Sequence, residues 1–145
     1  MADMRIDGKC HYGNISYVFD WPGDESEIPV RSCGCTFCVK HGGTYTSHRD
    51  AKLVAIIRDE ASVSKYRFGT GTADFFVCSQ CGAVPFVTSE IQGRVFAVVN
   101  VNTFESVDQA ILRQSVTNFD GEDTESRRDR RCRTWIPNVS IEKRA

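Results

Sequence analysis

Apolar and polar residues alternate along much of this chain with the two-residue period of a half-buried β-strand. In residues 15–19, Ile15, Tyr17 and Phe19 face one way and Ser16 and Val18 the other, between Gly13 and Pro22. Residues 63–68 alternate in the same way, and residues 53–57 form a short apolar run rich in β-branched side chains. Residues 95–101 are longer and almost continuously apolar, which predicts a central strand. Residues 75–78 and 83–88 flank a cysteine turn and predict a hairpin built around it. Turns are expected at Trp21-Pro22-Gly23-Asp24, Gly69-Thr70-Gly71 and Gln92-Gly93. The fold class expected is mainly β.

Two stretches break the alternation. In residues 106–115, Ser106 precedes Gln109 by three and Ala110 and Ile111 follow, which suits a short capped helix or a loop. Residues 120–133 carry five acids and five arginines and almost no apolar side chain. They read as a charged, solvated loop whose charges pair locally; an anion or nucleic-acid patch is the competing reading. Trp135, Ile136 and Val139 then bring the C-terminus back onto the body. There are no repeats and no linker, so one domain is expected over residues 1–145.

Composition narrows the function classes. Eighteen basic residues against nineteen acidic ones give no general field for nucleic acid or an anionic membrane. No apolar run approaches the roughly 18 residues of a membrane helix. MADMRIDGKC lacks the apolar segment of an export signal, so a cytoplasmic protein is expected. In a reducing compartment, seven cysteines read as metal ligands or redox groups rather than as a disulfide framework.

Five of the seven are clustered. Cys78 and Cys81, in VCSQCG, have the spacing that lets two thiolates wrap one ion at about 2.3 Å. Gly82 lets the backbone turn so that amides face the sulfurs. Cys33, Cys35 and Cys38, in SCGCTFC, offer three thiolates within six residues. Three protein ligands leave a tetrahedral zinc one open position, as in catalytic sites, and the soft donor set suits a sulfur-containing substrate. Spacing alone equally allows Cys35 and Cys38 to join Cys78 and Cys81 in one closed four-cysteine site.

The order GKCHYGNISYVF, RSCGCTFCVKHGG, Tyr66-x-Phe68-Gly69-Thr70 and VCSQCG resembles the glutathione-dependent formaldehyde-activating family, the centromere-protein-V domain, over residues 5–104, with Trp135 a tail match. The resemblance implies an Mss4-like β fold with two zinc ions. It implies a catalytic zinc on Cys33, Cys35 and Cys38, and a structural one on Cys10, Cys78 and Cys81 with a further early cysteine. Tyr12 stands where that cysteine belongs, so the second site is depleted. His11 and Cys132 are candidates for its fourth ligand, and a packed thiol cluster without metal is the alternative.

The function implied is a zinc-dependent carbon–sulfur lyase acting on S-(hydroxymethyl)glutathione or a related small thiol adduct. A zinc-stabilised binding module or a thiol redox switch using Cys33 and Cys35 are the alternatives. His41 and His48 are candidate acid–base groups, and Thr44 and Tyr45 candidate hydrogen-bond donors. Arg31, Lys40 and Arg49 are candidates for the carboxylates of the thiol.

Overall fold

The computed structural model describes residues 4–117 and 121–144. In chain order its elements are β1 (Met4–Lys9), β2 (Ile15–Trp21), β3 (Ile28–Cys33), α1 (Thr36–His41), β4 (Thr44–Thr46), β5 (Lys52–Ile57), β6 (Val63–Tyr66), β7 (Asp74–Cys78), β8 (Phe86–Ile91), β9 (Arg94–Asn100), β10 (Leu112–Thr117), α2 (Thr124–Thr134) and β11 (Asn138–Lys143). The strands form a four-stranded sheet in the order β1-β2-β5-β11 and a seven-stranded sheet in the order β10-β3-β4-β9-β8-β7-β6. The mainly β architecture expected from alternation is present.

The small sheet is half-buried: Ile15, Tyr17, Phe19 and Trp21 of β2 all point inward. The central strands of the large sheet are buried on both faces. In β9, Ala97 and Val99 join one apolar cluster with Phe19, Leu53 and Phe86, while Phe96 and Val98 join another with Tyr45, Phe75 and Trp135. A strand covered on both sides needs no polar positions, which explains its continuous apolar run. It occupies the centre of the sheet, as expected.

β7 and β8 form the expected hairpin, with Asp74 opposite Thr88 and Phe75 opposite Val87. The cysteine turn is closed by Cys78 N–H on the Ala83 carbonyl at 3.0 Å and by Gly82 N–H on the Cys78 carbonyl at 2.7 Å. Gly82 has φ 79°, the left-handed conformation anticipated for it.

Two local expectations are corrected. Within residues 106–115 only Gln109–Ile111 is helical, a single 3₁₀ turn capped by Asp108. β10 follows and pairs in parallel with β3. Its ladder is backbone bonding at a sheet edge, with Val116 82% exposed, so no apolar alternation announced it. Asp120 lies outside the described residues, and most of the remaining charged stretch is helix rather than loop, from Thr124 to Thr134. Asp123 caps α2 by accepting the Ser126 N–H at 2.7 Å. Glu125 sits in the first turn and Arg131 and Arg133 in the last, which suits the helix dipole. The C-terminus docks as expected: Ile136 and Ala97 exchange backbone hydrogen bonds, and β11 pairs in parallel with β5.

Candidate metal centre

Cys33 closes β3, Cys35 caps α1, and Cys38 lies in its first turn. The Cys35 sulfur accepts the Cys38 N–H at 3.4 Å, so the cap itself turns both sulfurs inward. Gly42, left-handed with φ 77°, ends the helix by bonding the Cys38 carbonyl. The three sulfurs lie within 4.8 Å of one another. Tetrahedral ligation at about 2.3 Å would space them about 3.8 Å apart, so this donor set fits a zinc-sized soft cation. Cys35 and Cys38 are buried and Cys33 half-buried.

The surroundings of Cys35 and Cys38 favour the neutral thiol. Burial pushes the Cys35 thiol up. The neighbouring Cys33 thiol, then burial, push Cys38 further. Tyr45 Oη lies 3.5 Å from Cys38 Sγ and 3.1 Å from His41 Nε2. Burial raises the tyrosine hydroxyl and lowers the His41 imidazole, so both stay neutral at neutral pH.

A second triad, Cys10, Cys78 and Cys81, also has its sulfurs within 4.8 Å. It sits in the apolar cluster between the sheets, on the opposite face of the large sheet from the first. Backbone amides converge on it. Cys10 Sγ accepts from Gly13 N at 3.3 Å and Ile15 N at 3.4 Å. Burial raises the Cys81 thiol, but the N–H groups of Ala83 and Tyr12, with the neighbouring thiols, outweigh it and leave the pKa lowered. Burial dominates at Cys78 and raises it. This set also fits a thiolate-bound cation.

The first triad opens into a cavity of about 650 Å³. Tyr45, Phe75, Val87, Val98 and Trp135 give it apolar walls. Arg31 enters from β3, and Glu122, Arg127, Arg130 and Arg131 from α2 and the residues just before it. Arg130 grips the Glu122 carboxylate at 3.0–3.3 Å. Arg131 stacks over the Trp135 ring at 4.9 Å and bonds Thr72 and Ser89.

The model of the glutathione-dependent formaldehyde-activating enzyme family matches residues 5–119. The chain belongs to this family. A comparison with curated proteins gives no significant match. Among solved structures, the crystal structure of a Rhodobacter sphaeroides protein is similar at TM-score 0.53 and 23% identity, over 75% of this chain and 99% of that one. At that identity the likeness concerns the fold. The family match stops at residue 119, so α2, Trp135 and β11 lie beyond it.

Two separate cysteine triads are therefore assembled, and each could hold a metal ion. The pooled alternative is excluded, because Cys35 and Cys38 stand apart from Cys78 and Cys81. Among the described residues, no fourth His, Cys, Asp or Glu joins either triad. His11 is exposed, and Cys132 is exposed on α2. The Tyr12 side chain is 64% exposed, while its N–H serves Cys81.

His48 packs edge-on against Trp21 at 5.3 Å and bonds Asp50 N, away from the cavity. Lys40 and Arg49 are exposed and Arg31 lines the cavity. Arg127, Arg130 and Arg131 of α2, for which an anion patch is only the competing reading of the sequence, line the cavity. A usable signal was the spacing of Arg127, Arg131 and Trp135, four apart on one helix face beneath an Asp-x-x-Ser cap.

Proposed function

We propose that this chain is a zinc-dependent carbon–sulfur lyase acting on S-(hydroxymethyl)glutathione or a related small thiol adduct. The observation that carries the reading is the three-cysteine group facing a ligand-sized cavity with no fourth protein ligand among the described residues. Cys33, Cys35 and Cys38 hold the zinc, and Cys10, Cys78 and Cys81 hold a second, structural ion.

Zinc held by Cys33, Cys35 and Cys38 would supply a positive centre that attracts a substrate sulfur or oxygen and favours the thiolate. The chain's own residues do the rest. Tyr45 bonds Cys38 Sγ and positions that ligand, backed by His41. Phe75, Val87, Val98 and Trp135 exclude water around the reacting sulfur. In synthesis, a bond forms between the thiol sulfur and the formaldehyde carbon, and the thiol proton ends on the former carbonyl oxygen. In the lyase direction the carbon–sulfur bond breaks and that proton returns to sulfur.

The test is exchange between glutathione, formaldehyde and their adduct, followed by NMR with zinc-loaded protein. Acceleration that Cys35→Ala abolishes supports the reading. Exchange no faster than without protein, at confirmed zinc loading, overturns it for this substrate.

A further inference from the structure

We propose that Arg31 and Arg131 form a carboxylate site inside this cavity, so that the chain selects acidic thiol adducts over neutral ones. The inference rests on the thiol-adduct reading above and names the part of the substrate that this chain recognises.

The first observation is charge. Among the described residues, four guanidiniums line the cavity against a single carboxylate, Glu122. Glu122 is already engaged by Arg130, and Arg127 lies 3.9 Å from it. The second is Arg131 itself. It is only 5% exposed, and Nη1 donates to the Thr72 carbonyl, Thr72 Oγ1 and Ser89 Oγ, all neutral groups. Its buried Nε has no hydrogen-bond partner. Among the described residues, Glu122 acts on this buried cation without bonding it, so no carboxylate directly offsets its desolvation and one donor is left to spare.

The neighbours sharpen this. Burial, then Arg130 and Arg127, lower the Arg131 pKa to about 10. Burial, then Arg130, lowers Arg31 as well. An incoming anion would relieve both.

Arg31 is held in place from α2's end of the cavity. Its Nη2 donates to Ser47 Oγ at 2.8 Å, and Ser47 Oγ donates to the Thr134 carbonyl at 2.7 Å. The same cavity contains the cysteine triad and an apolar wall. A ligand that satisfies all three has a sulfur, a short apolar stem and a carboxylate. Guanidinium forks match carboxylates in two parallel hydrogen bonds, which gives geometric selection as well as attraction.

The experiment is calorimetric titration of the zinc-loaded full chain with three probes. These are glutathione, its diethyl ester with both carboxylates masked, and S-methylglutathione with its sulfur blocked. Glutathione should bind at least about tenfold more tightly than the ester, the equivalent of one charge-assisted contact. Arg31→Gln and Arg131→Gln should each narrow that gap. If Arg131→Gln fails to fold, the ester comparison and Arg31→Gln still decide.

Equal binding of glutathione and ester, both lost in Cys35→Ala, would overturn the arginine site and leave the thiol reading standing. A gap that survives both arginine substitutions would also overturn it. Binding of S-methylglutathione that falls in both arginine variants, with glutathione indifferent to Cys35→Ala, would keep the arginine site and remove the thiol reading. Binding of none of the probes would overturn both.

Discussion

The hydroxyl of Tyr45 stands 3.5 Å from the sulfur of Cys38. Tyr45 is itself buried and tied to His41. Tyr45→Phe keeps the ring and removes that link. We expect a stability loss of about 1 kcal/mol, the usual net worth of one hydrogen bond. We also expect faster loss of zinc from this site alone. Thermal unfolding and chelator-release kinetics on the same samples check both.

The two triads should release metal at different rates. One opens into the cavity, and the other packs against the apolar cluster between the sheets with amides on its sulfurs. A chromogenic chelator should therefore remove zinc in two phases. Cys35→Ala should abolish the fast phase, and Cys78→Ser the slow one. Unchanged biphasic release in Cys35→Ala would contradict the assignment.

Tyr12 offers a gain-of-ligand test. Its N–H already serves Cys81, and its side chain projects into solvent without packing to lose. Tyr12→Cys should supply a fourth thiolate to the second triad. The slow phase of release should become slower, while the fast phase keeps its rate.

The cap of α2 gives a pH signature. The Ser126 N–H holds the Asp123 carboxyl below its ordinary value of 3.8. A carboxylate lowered in the folded state stabilises above its unfolded pKa, and that stability is lost as pH falls through the folded value. Asp123→Ala should lower the melting temperature at neutral pH, and the difference should close on the acid side of pH 3.8. A difference that persists unchanged in acid would show that the carboxylate charge is not the source.

How far the sequence could be read depended on what holds each part together. β2 and β9 were legible because burial dictates their side chains, on one face or on two. The cysteine groups were legible because metal chemistry fixes their types and spacing. β10 and α2 were not. β10 is held by its backbone ladder to β3. α2 carries no apolar stripe; guanidinium bonds and the Arg131–Trp135 stack seat it. Hydrophobic periodicity is blind to both. Balanced charge concealed the site in the same way, because the arginines turn inward at the cavity while Asp129 and Glu125 do not line it.

The last stretch of chain carries two duties at once. α2 walls the cavity, and β11, only a few residues on, covers the flank of β5 in parallel register. Shortening the protein from its C-terminus before α2 would therefore strip the arginines from the pocket and uncover a strand edge in the same stroke. An open edge on a β-rich core is a template for pairing with other chains. In this molecule, ligand selectivity and resistance to aggregation are thus entrusted to the same terminal segment.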